Sequence, residues 1–124
     1  MKAVSVKQPW ALAIASGLKT IETRTWSTDY RGPILIVASK KPDAAQLKMA
    51  MEETDGEIAE KIEYGKALAT ANLVDCRPMT EEDEDAAMCE VYPGTFSWVL
   101  ADIVRMAPFE QKGQLGLYDV DFEP

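Results

Sequence analysis

Residues 17–24 read Gly17-Leu18-Lys19-Thr20-Ile21-Glu22-Thr23-Arg24. Gly17 suits the C-terminal cap of a helix, because glycine enters the left-handed backbone region without a Cβ penalty. The β-branched residues after it favour extended backbone, so residues 19–26 read as a strand. Alternation puts Thr20, Glu22 and Arg24 on one face of that strand and Ile21 and Thr23 on the other. A helix therefore ends where a strand carrying paired charges begins.

Working outward, residues 2–7 alternate, with Ala3 and Ser5 on one face and Val4 and Val6 on the other, and predict a strand. Pro9 suits a first helical turn, Trp10, Ala13 and Ile14 share one stripe, and a short helix over 9–16 follows. Residues 29–33 form a turn. The apolar run Ile34-Leu35-Ile36-Val37-Ala38 predicts a strand buried on both faces. Asp43 can cap a helix over 44–53, and residues 57–63 can add a further turn. Residues 66–74 read as a strand. Thr80 and Asp83 form a capping box with Asp in place of the usual Glu, opening a short acidic helix. Strands over 95–104 and 115–122 close the chain. About six strands, helices inserted between them and no βαβαβ rhythm predict an α+β, mostly β architecture. It is a small mixed β-barrel with peripheral helices, in a single domain over residues 1–124.

With 124 residues the chain is long enough to fold without disulfides or metal. It contains no histidine, which excludes a Ser-His-Asp triad, a Cys-His pair and a His-bearing zinc site. Proton transfer would fall to carboxylate, lysine, tyrosine or cysteine. The two cysteines, Cys76 and Cys89, are expected to be free thiols in a reducing compartment. No apolar run approaches the ~20 residues of a membrane span, and the N-terminal residues lack the pattern of a signal peptide. A cytoplasmic location and no membrane partner are the expectation. Net charge is −8, which argues against coating long nucleic acid through a broad basic face. The charge is uneven, however. Residues 1–42 carry seven cationic side chains against Glu22 and Asp29. A locally positive cleft on an acidic body suits a small anionic ligand or a short single strand.

The chemically dense stretch is Ser5 to Arg31, which holds Lys7, Gln8, Trp10, Lys19, Glu22, Arg24, Trp26, Tyr30 and Arg31. Glu22 and Arg24 on one strand face form at least a surface ion pair. With Lys19 they can make a site of one acceptor and two cations. In it Glu22 accepts from a base or an amide, Arg24 clamps a phosphate or carbonyl, and Lys19 neutralises an anionic oxygen. Trp10, Trp26 and Trp98 each read first as core or rim packing, but a flat aromatic for base stacking is expected in such a cleft, and Trp26 is the first choice for it. The acids of residues 81–85 read as a solvated helix start rather than a metal site, and Lys112-Gly113-Gln114 as a turn.

The stretch 17–24 resembles the G-x-K-x-x-E-x-R element of the ASCH family. The neighbouring text is similar to the family too: Ser5 to Ala11, Tyr30-Arg31-Gly32, Ala38-Ser39-Lys40, Ser97 to Leu100 and Lys112 to Tyr118. The resemblance implies a PUA-like pseudo-barrel with a helix between its first two strands and a cleft beside that helix. It implies binding of RNA or a nucleotide in RNA modification or translation-related processes. Lys19, Glu22 and Arg24 would be the central residues, and Ser5, Lys7, Gln8, Trp10, Trp26, Tyr30, Arg31, Ser39, Lys40 and Trp98 would be ligand contacts. Some relatives are amidohydrolases acting on N4-acetylcytidine and others are ribonucleases, so a hydrolase is the alternative. A protein-interaction domain is a further one. In the deacylating relatives a threonine stands three residues after the motif lysine; here that position is Glu22. The chain is expected to be a monomer needing no cofactor and no metal.

Overall fold

The computed structural model describes residues Met1–Pro124. Nine elements make up the fold, with 3₁₀ turns at Glu57–Glu60 and Glu81–Asp83. They are β1 (Lys2–Val6), α1 (Trp10–Ala15), β2 (Ile21–Arg24), β3 (Gly32–Ala38), α2 (Ala44–Glu53), β4 (Lys66–Pro78), α3 (Glu84–Ala87), β5 (Phe96–Glu110) and β6 (Leu117–Asp119). The six strands form one mixed sheet in the order β2-β5-β4-β3-β1-β6. Only β1 and β3 run parallel. The long β5 pairs with β4 along its length and with β2 at its start, so it carries the sheet round into the half-barrel of a small α+β, PUA-like fold.

β3 lies at the centre, and Ile34 through Ala38 are completely buried, as their continuous apolar run predicts. Ile34, Ile36 and Ala38 face Val4, Val6, Leu73, Trp98 and the α1 residues Ala11, Ile14 and Ala15. Leu35 and Val37 face Ala3, Tyr118 and Val120 on the opposite side. The helix α1 thus plugs one face of the curved sheet. Gly17, at φ 79°, ends it, and the N–H groups of Leu18 and Lys19 both return to the Ala13 carbonyl. By contrast α2 has no buried residue and stays peripheral, capped by Asp43 through the Gln46 N–H.

Two strands run further than their composition suggests. β4 continues through Asp75-Cys76-Arg77-Pro78, and β5 through Arg105 to Glu110 despite Pro108. Bulges make this possible. The register between β4 and β5 shifts between Ala67 and Ala69, opposite Arg105 and Phe109, so Pro108 sits where a ladder N–H is dispensable. A second shift, between Thr70 and Asn72, places Asp102 at φ 52°, and the Asn72 amide donates to its carboxylate at 2.9 Å. The last strand is shorter than expected, because Leu115 is left in solvent and Gly116 turns at φ 68°.

The capping box at Thr80 forms with Asp83 as its acid. Asp83 is buried and accepts from the Thr80 N–H at 3.2 Å, Ser97 Oγ at 2.9 Å and Arg77 Nη2 at 2.7 Å. Burial alone would oppose ionisation, but these donors and the Arg77 charge hold the carboxyl below the usual aspartate value. A carboxylate held down in this way stabilises the fold above its unfolded-state pKa, and the contribution is lost as pH falls through the folded one. Asp83→Asn should therefore cost on the order of 1–3 kcal/mol in urea denaturation at neutral pH. The difference from wild type should shrink as pH drops below the ordinary aspartate value of 3.8.

Candidate functional site

At the end of the sheet where β1 and β3 finish, the connections after those strands face the loop 112–116 and residues 87–92. Between them lies a cleft of about 930 Å³, within the usual range for small-ligand sites. Lys19 forms part of its floor. The chain reversal at Gly17 turns this side chain inward, leaving it 2% exposed. Its ammonium donates to the Ala87 carbonyl, lies 3.9 Å from Glu22 Oε1 and stands 4.8 Å from the centre of the Trp10 ring. Trp10 is held in turn by its indole N–H, which donates to Asp43 Oδ2 at 3.2 Å.

Glu22 is also buried. Its Oε2 accepts from Arg24 Nη2 at 3.0 Å and its Oε1 from the Thr23 N–H at 3.1 Å. Arg24 spans the gap between β2 and β1 and donates to the Ser5 carbonyl. Its Nε is buried with no protein acceptor. One carboxylate thus sits between two cations. Burial pulls the Lys19 amine below its ordinary value of 10.5, Glu22 and Cys89 push back up, and Arg24 adds to the lowering. The folded chain therefore gives up this proton more readily than the unfolded chain. Any stability change linked to Lys19 rises with pH between the folded pKa and 10.5.

Of the residues expected at the site, Ser5, Lys7, Trp10, Lys19, Glu22, Arg24, Ser39 and Lys40 line this cleft together. Five others do not. Gln8 is fully buried: its carbonyl accepts the Leu12 N–H and its amide donates to the Glu63 carbonyl, so it braces α1. Trp98 is 1% exposed; it meets Trp26 edge-on at 4.7 Å and donates its indole N–H to the Trp26 carbonyl. Trp98 belongs to the core, and half-buried Trp26 packs against it from the rim. Tyr30 donates to the Pro33 carbonyl at 2.5 Å, and Arg31 to the carbonyls of Thr28 and Tyr30 at 2.8 Å. Both stitch the turn that leads into β3.

The cleft also gathers residues that sequence reasoning missed: Thr23, Lys41, Asp43, Gln46, Cys89, Tyr92 and the loop 112–116. Thr23 reaches it although it alternates with Glu22, because β2 is an edge strand and the segment after α3 folds past its free edge. The Thr23 hydroxyl lies 4.0 Å from Cys89 Sγ. Lys41 is signalled by its neighbour Lys40. Nothing in residues 87–92 marks them as a cleft wall, since they arrive there through the Thr20 N–H bond to the Ala86 carbonyl. Of the acids of 81–85, Asp83 caps the turn and pairs with Arg77, Glu84 accepts from the Val91 N–H, and no group of three or more acidic or cysteine side chains is placed to hold a metal ion. No helix is long and apolar enough to cross a membrane.

A curled mixed sheet plugged by one helix, with buried Lys19 and Glu22 and half-buried Arg24 at a polar cleft, defines a PUA-like domain. The ASCH domain profile matches residues 4–110, and the chain belongs to the ASCH domain family. The chain is 32% identical over 80 residues to human Activating signal cointegrator 1, and 31% identical over the same length to the mouse protein. Each match takes in 59% of this chain but 14% of the relative, so the chain spans only a small part of those proteins. Among solved structures, the ASCH protein of Zymomonas mobilis superposes with a TM-score of 0.67. That match has 14% identity and covers 96% of this chain and 86% of that one. A variant of the same protein superposes at 0.62, and at this identity the likeness concerns the fold.

The placement of Glu22 predicts a titration effect. Glu22→Gln removes the first influence that raises the Lys19 pKa, so the Lys19 amine should titrate at still lower pH. The shift can be followed by NMR through the Lys19 side-chain ε carbon. An unchanged or higher value would show that Glu22 does not act on this amine.

Proposed function

We infer that this domain binds RNA or a nucleotide in the cleft at the end of the sheet. One observation carries the reading. Six cationic side chains, Lys7, Lys19, Arg24, Lys40, Lys41 and Lys112, line the cleft against two carboxylates, Glu22 and Asp43, in a chain of net charge −8. Both carboxylates are engaged, Glu22 by Arg24 and Asp43 by Trp10 and the Gln46 N–H. The cleft is therefore a positive hollow on a negative body, and such a hollow draws in anionic ligands. The family resemblance supports the choice of nucleic acid over other anions. Within the cleft, the Trp10 and Tyr92 rings offer flat surfaces.

Short single-stranded RNA and the ribonucleotides, titrated by calorimetry, should bind to the wild type. Glu22→Gln and Arg24→Lys should each weaken binding by about tenfold or more, because each removes a charged hydrogen bond. Circular dichroism should show both variants folded. A wild type that binds none of these ligands would overturn the reading.

A second reading, hydrolysis of a nucleoside amide, is favoured by the Thr23 hydroxyl lying in the same cleft as the buried Lys19, whose amine burial pulls below its ordinary value. It supplies a hydroxyl close to the motif although Glu22 occupies the threonine position of the deacylating relatives. Acetate release from N4-acetylcytidine that is abolished in Thr23→Val would establish it.

A further inference from the structure

We propose that the outer lip of the cleft is a phosphate subsite made by Lys7, Lys40, Lys41 and Lys112, so that the ligand is a phosphorylated nucleotide unit rather than a free nucleoside. This rests on the nucleotide-binding reading and adds to it the part of the ligand that the lip selects.

The four lysines converge for a topological reason. Lys7 follows β1 and Lys40 and Lys41 follow β3, and these are the parallel neighbours, so their connections leave the same end of the sheet. The Ser39 N–H bonds the Val6 carbonyl and the Asp43 N–H bonds the Gln8 carbonyl, which keeps the two connections side by side. Lys112 arrives from the opposite side, at the start of the loop into β6, which runs antiparallel to β1.

That loop is pinned against β1. A Cβ on Gly113 would lie 2.8 Å from Ser5 Oγ, so only glycine permits the approach, and Ser5 Oγ is itself fixed 2.7 Å from the Tyr118 hydroxyl. The backbone N–H groups of residues 112–116 have no acceptor within the chain. They are donors beside a cation, the combination that favours a bound anion.

The second observation is charge pairing. The inner cations are already paired, since Lys19 and Arg24 share Glu22. None of the four outer lysines forms an ion pair, although the chain carries 21 acidic residues. All four are exposed, and the Lys40 stem packs on Gly65 with its Cγ 3.4 Å from where a Cβ would stand. The exposed acids Glu81, Glu82, Asp85 and Glu90 lie instead on the segment that packs against β2. None of these acids lines the cleft, and the one carboxylate near the lip, Asp43, is held by Trp10 and the Gln46 N–H. A phosphate is therefore favoured among the lip lysines, which directs the base toward Lys19, Glu22 and Trp10.

The test compares the four ribonucleosides, their 5′- and 3′-monophosphates and a short oligouridylate by calorimetry. It uses the wild-type chain, the Lys40→Gln/Lys41→Gln double variant, and a control with Lys48→Gln and Lys61→Gln outside the cleft. Circular dichroism and a thermal melt check that the variants are folded. A monophosphate is expected to bind at least about tenfold more tightly than its nucleoside, the scale of a charged hydrogen bond. That advantage should collapse in the double variant and survive in the control. If only the oligonucleotide binds, the double variant should flatten its dependence of log K on log salt, by about 0.7 for each phosphate that is no longer neutralised. Equal binding of nucleoside and monophosphate, an advantage that persists in the double variant, or an unchanged salt slope would overturn the phosphate subsite and leave the nucleotide-binding reading in place. Failure of every nucleoside, nucleotide and RNA to bind would remove that reading, and the subsite with it.

Discussion

The carboxylate of Glu22 is the point on which this structure turns. It is buried, and it sits between the buried ammonium of Lys19 and the guanidinium of Arg24. The buried charges of Lys19 and Glu22 cost several kcal/mol each to withdraw from water unless they are satisfied, and half-buried Arg24 completes the pairing. Lys19 is folded back onto the Ala87 carbonyl and Arg24 extends to the Ser5 carbonyl. The second of these bonds links β2, at one edge of the sheet, to β1 near the other edge. No strand pairing makes that link. A side-chain bond therefore completes what backbone hydrogen bonds leave open, and the same three residues line the cleft.

This dual duty explains which parts of the molecule are legible in the sequence. The central strand announces itself through Ile34 to Ala38, because burial on both faces leaves no room for a polar residue. Gly17 and the β-branched run after it mark the junction of α1 and β2. The Thr80–Asp83 box and the Asp43 cap are readable because capping chemistry is local. The extensions of β4 and β5 are not, since Asp75, Arg77 and Pro108 argue against a strand, and the bulges that accommodate them are properties of the pair. The aromatic residues are the least legible of all. Trp10, Trp26 and Trp98 are equivalent by type, and only the packing shows that Trp10 borders the cleft while Trp98 fills the core and Trp26 packs against it.

The same limit applies to the cleft wall. Residues 87–92 and 112–116 lie far from residues 17–24 in sequence and carry no motif chemistry of their own. They become part of the site because Ala86 and Ala87 offer their carbonyls to Thr20 and Lys19, and because Gly113 can approach Ser5. Backbone groups do the recruiting, and backbone groups are the same in every sequence. Thr23 illustrates the point from the other side. Strict alternation sends it away from Glu22, yet a cleft wrapped around a free strand edge receives side chains from both faces.

The distribution of charge follows from this construction. A broad basic surface would attract long duplexes, and the acidic body opposes that through repulsion that acts over about a Debye length, ~8–10 Å at physiological salt. Inside the cleft the balance reverses over a shorter distance. The inner cations are spent on Glu22, which makes them rigid and suited to directional hydrogen bonding with a base or carbonyl. The outer lysines are unpaired and long, which suits a phosphate that needs charge more than geometry. A ligand that enters must satisfy both layers at once. An anion without a hydrogen-bonding body gains only the outer layer, and an uncharged base gains only the inner one. On the nucleotide-binding reading proposed above, the separation of a paired interior from an unpaired rim gives an acidic domain of this size a means of choosing a short nucleotide unit over the polyanions that its surface repels.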